Sequence, residues 1–444
     1  MWKIYYLLLA VAVVITACGS SQYTPEPIEQ VTPPPAARTY FSPELAAQFL
    51  SEVEAVWDAD NGALWGIPLH APLIIANHLT HQAVANMPDY GSIFTYQDGM
   101  YTGFLPENIF VGGTQTFGGR TWYVVSWSSY MLYSADDKLM RLRTMTHGGF
   151  HALQPGIMGS GGGAPTHLDT LDWRPYTFIE MNALLVALES TGDERLTAMH
   201  DALSIRAARQ QDLARGQINS EVMHEISEGT AQYTEYMLNM EMPEVLADIR
   251  QWIDEGLGKS YAWLTFGYFG GAMYSMLLSE MNADWKTNVR FNTNLGDLLM
   301  DAVGITELSP LEAIDLSRYE YERIMAAEQA WFELRDSIAE NARMIFAADS
   351  SVLNLPFTGE LPFGELNQVS IGQGLVLHGT FEFVGEFGTL SITNGYFLYW
   401  HNRVCASDIE INGNHITGSY WELTLNDGFE VVQERNNFTV QRTE

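Results

Sequence analysis

The order of strand-like and helix-like segments is the feature that most constrains the fold of this 444-residue chain. Between about residues 61 and 130, short apolar runs such as "PLIIANH", "SIFTYQDGMYTGFLP" and "RTWYVVSWSS" are broken by Gly, Pro, Asn and Asp, which predicts strands and hairpins. Helical patterns dominate from Asp136 to about Asn341, and the strand pattern returns after about residue 350. This order predicts an α+β fold that ends in a separate small β-domain.

Eight segments have the pattern of helices. The first is 43–58, with Ser42 as its N-cap and Pro43 at the first helical position. The others are 136–154, 174–190, 194–214, 220–240, 243–256, 259–281 and 309–341. The uncharged run "YAWLTFGYFGGAMYSMLL" is as long as the shortest membrane spans, but its Gly, Tyr and Ser residues favour a buried central helix.

The N-terminal residues "MWKIYYLLLAVAVVITAC" have the anatomy of a secretory signal. The segment "ITAC" resembles the lipobox of bacterial lipoproteins, so residues 1–18 are expected to be a signal peptide that ends at a lipid-bearing Cys18. An uncleaved membrane anchor is the alternative. Residues 19–42 are rich in Pro and Ser and are predicted to be a tether. We therefore expect a protein of the bacterial cell envelope, lipid-anchored on a periplasmic or extracellular face.

Composition excludes some partners and some covalent links. The chain has 54 acidic and 22 basic residues and a formal net charge of −32, which disfavours binding to nucleic acid. Cys405 is the only cysteine besides Cys18, so an intramolecular disulfide would require Cys18 to be unlipidated.

The stretch "TMTHGGFHALQP" contains two histidines four residues apart in the predicted helix 136–154, which Pro155 is expected to end. Residues i and i+4 share a helix face, so His147 and His151 could bind one metal ion. The alternative is two histidines on an ordinary polar face. Gly148 and Gly149 each cost about 1 kcal/mol in a helix, which indicates close approach by a backbone or ligand, or the loss of a former side chain.

A third ligand could come from "NSEVMHEISEGTAQYTEYMLN", which has a helical pattern and carries Glu221, His224, Glu225 and Glu228 within two turns. Zinc in catalytic sites takes three protein ligands and leaves one position open. One glutamate of this helix and two histidines would meet that requirement.

"THGGFHALQ" together with "EISEGTAQYTEY" resembles the gluzincin metallopeptidases, and the wider chain is similar to uncharacterised bacterial zincin-like proteins. The resemblance implies a zincin-like domain at 43–348, followed by a sandwich-like β-domain at 349–444. It also implies that His147, His151 and Glu228 bind Zn²⁺ and that the substrate or ligand is a peptide or protein.

The resemblance fails at the residue that carries the chemistry. The catalytic glutamate of the family would fall on Gly148, which can take no proton from metal-bound water. Two functions stay open: a metallopeptidase of reduced or rerouted activity, and a pseudopeptidase that binds peptide or protein without hydrolysis.

Tyr268 and Tyr274 lie in the segment that resembles the region from which gluzincins take an oxyanion-stabilising residue. They are candidates for that role, and the alternative is that they build the core, as aromatic residues of a buried helix commonly do.

Glu180, Glu225 and His224 are candidates for contacting the ligand residues from outside, and His224 as a metal ligand itself is an alternative. For Glu180, a pair with an arginine such as Arg206 or Arg209 is the other interpretation.

The glycine-rich "QPGIMGSGGGAPTHLDT" is expected to be either a flap over the site or a plain surface loop, with His167 and Asp169 as a candidate pair near the metal ligands. In the C-terminal part, five aromatic residues are consistent with sugar stacking but fit a β-domain core better. They are Tyr396, Tyr399, Trp400, Tyr420 and Trp421.

Overall fold

A computed structural model describes residues 41–443, apart from 79, 128–136, 160, 162, 261–264, 282–283, 357–362 and 373. The predicted signal peptide, Cys18 and nearly all of the predicted tether lie outside these residues. Within the described part of the chain, no helix is both long enough and apolar enough to cross a membrane.

The N-terminal part is one helix followed by a six-stranded sheet. Helix α1 spans Pro43–Asp60, and the Ser42 hydroxyl accepts a hydrogen bond from the Leu45 N–H at 3.2 Å, which confirms the predicted N-cap. The strand order is β3-β4-β2-β1-β6-β5, and β1 and β6 form the parallel pair. The strands are β1 Leu73–Ala76, β2 Gln82–Ala85, β3 Phe94–Gln97, β4 Met100–Phe104, β5 Gly113–Phe117 and β6 Arg120–Ser126.

The middle of the chain is helical. Its helices are α2 Lys138–Met158, α3 Arg174–Glu189, α4 Gly192–Gln210, α5 Arg215–His224, α6 Thr230–Asn239, α7 Met242–Gly256, α8 Gly271–Met281, α9 Trp285–Asn288, α10 Leu295–Val303 and α11 Tyr321–Ile345. Two π-helical turns, at Glu225–Gly229 and Phe266–Gly270, lead directly into α6 and α8. Residues 265–278 are buried throughout, as expected for a central helix.

Several predicted helix boundaries are wrong. The predicted helix 194–214 ends at Gln210, the predicted helix 220–240 already begins at Arg215, and residues 259–260 of the predicted helix 259–281 are not helical. Helix α2 continues through Pro155 to Met158, because a proline near the end of a helix removes one hydrogen bond and leaves the remaining turn intact. The predicted helix 220–240 is interrupted by the first π turn, and 309–341 is helical only from Tyr321, after short 3₁₀ turns. The short helices α9 and α10 were not predicted; the Asn294 side chain caps α10.

The C-terminal part is rich in strands, as predicted. Ten strands form one connected sheet, in which β16 and β7 form a parallel pair. The strands are β7 Val352–Asn354, β8 Phe363–Ser370, β9 Leu375–Gly385, β10 Gly388–Leu398, β11 Arg403–Cys405, β12 Glu410–Asn412, β13 His415–Gly418, β14 Trp421–Leu425, β15 Phe429–Glu434 and β16 Asn437–Arg442.

Helix α11 joins this β-rich part to the rest of the protein through an apolar cluster. Trp331, Phe332 and Ile338 of the helix pack in it with Val376 of β9 and Leu398 of β10. A second cluster, around Phe383, Phe397 and Trp421, is built from the β-rich part alone. The fold is therefore α+β, with a C-terminal β-rich part that has a core of its own.

Candidate metal centre

Helix α2 and the first π turn bring three coordinating side chains together. The Nε2 atoms of His147 and His151 lie 3.1 Å apart, and Glu228 Oε2 lies 3.6 Å and 3.3 Å from them, respectively. His147 is buried, and the side chains of His151 and Glu228 are 11% and 12% exposed. Within the described residues this is the group whose donor atoms are arranged so that they could hold a metal ion.

Two facing π turns set the position of Glu228. A Cβ atom at Gly229, the last residue of the first turn, would come within 3.0 Å of the backbone of Gly271, which directly follows the second turn. A π turn inserts an extra residue into a helix and shifts the direction of the side chains around it. Glu228 in the first turn and Tyr268 in the second are thereby both directed to the histidines of α2.

The Nδ1 atom of His151, on the side of the ring away from the other two coordinating residues, is hydrogen-bonded to Gln154, one turn further along α2. The Gln154 Nε2 donates to the Ser227 carbonyl at 2.6 Å and to the Thr230 hydroxyl at 3.0 Å, so its amide oxygen faces His151. That oxygen lies 2.8 Å from His151 Nδ1, which must therefore carry the proton and donate it. The lone pair of His151 Nε2 is left to face Glu228 and His147.

The outer nitrogen of His147 faces a buried row of charges. His147 Nδ1 lies 3.2 Å from Glu235 Oε2, and Arg143 Nε donates to Glu235 Oε1 at 2.5 Å. Arg143 also donates to Asp248 Oδ2 at 2.8 Å. A carboxylate on the outer nitrogen of a ligand histidine holds the ring orientation and raises its basicity.

The electrostatics of the centre favour one bound cation. Burial opposes ionisation of Glu228, but the two histidines hold the pKa of its carboxyl well below the ordinary value. Burial likewise opposes charge on His147, yet Glu228 and Glu235 raise its pKa to about 9. The Nε2 atoms of His147 and His151 and one carboxylate oxygen of Glu228 thus form a set of acceptors. A bound metal ion or a bound proton would stabilise this set.

The two glycines between the histidines are sites of close approach by side chains. A Cβ atom at Gly148 would overlap the ring of Tyr123, a buried residue of β6. At Gly149 it would come within 3.0 Å of the Trp57 ring. The Tyr123 ring of the sheet and the Trp57 ring of α1 therefore occupy the space that side chains at positions 148 and 149 would fill.

The two candidate tyrosines lie in different surroundings. The Tyr268 ring stacks on His147 with 5.6 Å between ring centroids, and burial, followed by the neighbouring Glu228 carboxylate, holds its pKa well above the ordinary value. The Tyr274 hydroxyl instead donates to Glu180 at 2.9 Å. Of these two tyrosines, Tyr268 is therefore the one adjacent to the three coordinating residues.

Glu180 and Glu225 belong to a buried ionic cluster rather than contacting the coordinating histidines. Arg206 donates to both oxygens of Glu225, at 2.5 and 2.7 Å, and to Glu180 at 3.1 Å. Arg209 bridges Glu180 and Glu221, at 3.0 and 2.8 Å. The alternative arginine pairing of Glu180 is therefore the one observed. This cluster fixes α5 and the π turn that follows it against α4.

The ring of His224 packs against the edge of Tyr268, with 5.9 Å between ring centroids, and is not one of the three coordinating residues.

The glycine-rich segment is packed against α5 where the structure describes it. His167 Nε2 lies 2.7 Å from Glu221 Oε1, at the edge of the ionic cluster. Asp169 pairs with Arg174 at 2.9 Å, so His167 and Asp169 have different partners. Two glycines of the segment approach neighbouring atoms too closely for a Cβ atom: Gly161 and Gly163.

The aromatic residues of the C-terminal part divide between core and surface. Trp421 is buried in the core of the β-rich part, and Tyr399 and Tyr420 pack against that core. Tyr396 lies on the side that faces α11. Trp400 is 67% exposed and is the one residue of the five with the accessible ring that sugar stacking would need.

Three residues around the centre were not predicted from the sequence: Gln154, Glu235 and Tyr123. Gln154 lies one turn from His151, and Glu235 lies two turns from Glu228, so helical spacing could have suggested both. No local signal links Tyr123 to Gly148, because they meet through packing of α2 on the sheet.

No family model matches the chain, and no curated protein or solved structure is significantly similar to it.

Proposed function

We propose that this is a zincin-like envelope protein that holds Zn²⁺ between His147, His151 and Glu228 and uses it to bind a peptide or protein. The observation that carries the proposal is the spacing of the three coordinating atoms, which are 3.1, 3.3 and 3.6 Å apart. Ligand atoms at about 2.0–2.1 Å from a tetrahedral zinc ion are separated by about 3.3–3.4 Å. The site needs almost no rearrangement to accept the ion.

The contacts outside the three ligands support the same ion. Gln154 is hydrogen-bonded to His151 Nδ1, and the Glu235 carboxylate lies 3.2 Å from His147 Nδ1, so both rings would bind zinc through Nε2. Three protein ligands leave a fourth position open, which is the arrangement of zinc sites that bind water or substrate. Tyr268 stacks on His147 and its hydroxyl lies beside Glu228, and we propose that it donates a hydrogen bond to a group bound there.

Elemental analysis of the full-length chain tests the zinc site. We expect about one zinc per chain, and less than a tenth of that in the His147→Ala, His151→Ala double variant. Glu228→Gln keeps the size of the third ligand and removes its charge, so it should weaken zinc binding without loss of fold. The matched control is His415→Ala, an exposed residue of β13. Zinc-free wild-type protein after incubation with excess zinc would refute the site.

Hydrolysis is the second property to decide. The absence of a carboxylate at position 148 favours the pseudopeptidase over the metallopeptidase, since general acid–base catalysis is worth about 10²–10⁴-fold. We expect the zinc-loaded protein to cleave casein no faster than the double histidine variant. Cleavage that a chelator abolishes and added zinc restores would establish the peptidase instead.

The lipid anchor at Cys18 belongs to the same proposal, and the signal-like residues before it support it. In a bacterial host, the wild-type protein should sediment with membranes and take up labelled fatty acid. Cys18→Ser should lose the label. Equal labelling of both proteins would refute lipidation at this residue.

A further inference from the structure

We propose that Tyr123 occupies the space of the general-base side chain and thereby makes the centre a binding site that cannot activate water. The proposal rests on the zinc site proposed above and adds the residue that decides what the metal does. Its basis is the position of the Tyr123 ring, which a Cβ atom at residue 148 would overlap.

The Tyr123 ring cannot easily move aside. Its strand, β6, lies between β1 and β5, and Tyr123 is paired with Leu73 on one side and Thr114 on the other. The Tyr123 N–H also donates to the Pro72 carbonyl at 3.0 Å. Tyr123 is 2% exposed, and α2 packs on its ring at Gly148. A carboxylate at position 148 would therefore require displacement of a buried ring on an internal strand.

The phenol of Tyr123 differs from a glutamate carboxylate in its ability to accept a proton. A carboxylate is ionised at neutral pH and accepts a proton from metal-bound water, whereas a phenol with an ordinary pKa of about 10 keeps its own proton. Glu235, the other acid near His147, is bonded to Arg143 on the outer side of the ring and does not face the metal position. Glu228, the other carboxylate that the described residues place within 4 Å of the two histidines, is itself a ligand.

The first test compares two glycines of the same helix, in the full-length protein. Gly148→Ala places a methyl group in the Tyr123 ring, whereas Gly156→Ala meets no atom within 4 Å. We expect the midpoint of thermal unfolding to fall for Gly148→Ala and to hold or rise for Gly156→Ala, since alanine favours a helix. Equal midpoints for the two variants would overturn the steric basis of the proposal.

The second test enlarges the side chain at position 148 and shortens the one at position 123. Gly148→Glu alone should lower both the unfolding midpoint and the zinc content. Adding Tyr123→Ala should recover part of each loss, although Tyr123→Ala alone is also destabilising. Losses that simply add in the double variant would show that the two positions are not coupled and would overturn the proposal.

Zinc content and casein cleavage, measured on every variant, separate this proposal from the one on which it rests. A wild-type protein without zinc refutes the zinc site, while coupling between positions 123 and 148 would still establish that the ring fills the space. A wild-type protein that binds zinc and cleaves casein in a chelator-sensitive way keeps the zinc site and overturns the role of Tyr123.

Discussion

Protonation of His147 should compete with metal binding, and this can be measured on the metal-free protein. Burial disfavours the charged ring, but Glu228 and Glu235 more than offset it and raise the pKa from the ordinary 6.5 to about 9. The unfolded chain has no such carboxylates held in place, so its histidine titrates near the ordinary value. Folding therefore takes up a proton at His147 between pH 6.5 and 9.

The sign and size of the effect follow from this difference. A pKa that is higher in the folded state adds stability that is fully present below pH 6.5 and is lost as the pH rises through 9. Each pKa unit corresponds to about 1.4 kcal/mol, so the contribution of His147 is about 3 kcal/mol. Because zinc must displace this proton, its apparent dissociation constant should rise about tenfold for each pH unit below 9.

Equilibrium urea unfolding of the chelator-treated protein, at several pH values from 6 to 10, measures the contribution. The control is His147→Gln, which has the same other titrating groups. We expect the free energy of unfolding of the wild type to fall with rising pH by about 3 kcal/mol more than that of the variant. Saturating zinc should abolish the difference in slope. Parallel pH profiles for the two metal-free proteins would refute the reasoning.

Three further predictions concern the surroundings of the centre. Glu235→Gln should weaken zinc binding about 10–100-fold, measured by competition with a chromogenic chelator, and an unchanged affinity would contradict its role in holding His147. Arg206→Met leaves buried Glu225 without its partner and should cost about 3–5 kcal/mol in urea unfolding, whereas Arg250→Met at an exposed ion pair should cost less than about 1 kcal/mol. A chain that ends at residue 348 exposes the apolar face of α11 and should aggregate in size-exclusion chromatography; a monomer would show that the β-rich part is dispensable.

Local spacing made much of the centre predictable. His147 and His151 lie four residues apart in a helical pattern, which places them on one face whatever the rest of the chain does. The structure places Glu228, from the predicted helix 220–240, beside them, within 3.6 Å of both. The capped start of α1 at Ser42 and the burial of 265–278 were predictable for the same reason, since each depends on neighbouring residues.

Less local features could not be predicted. The Glu180, Arg206 and Arg209 contacts were suggested by the rule that buried charges are paired, but that rule does not say which pairs form. The π turn Glu225–Gly229 interrupts a helix that the sequence pattern shows as continuous, and its last residue lies against Gly271 of a separate element, a contact that local spacing does not reveal. The end of α2 was also mispredicted, because a proline so near the end of a helix removes one hydrogen bond and leaves the last turn intact.

By itself the sequence determined the α+β order of elements, the pair of histidines on one helix face and the absence of a glutamate between them. Only the tertiary structure decided which side chain fills the space beside Gly148. Tyr123 is twenty-five residues before Gly148, and they meet only because α2 packs across β6. Periodicity along a helix or strand is set by covalent geometry, so it can be read from adjacent residues. Contacts between separate elements depend on how whole surfaces fit together, and no short stretch of sequence contains that information.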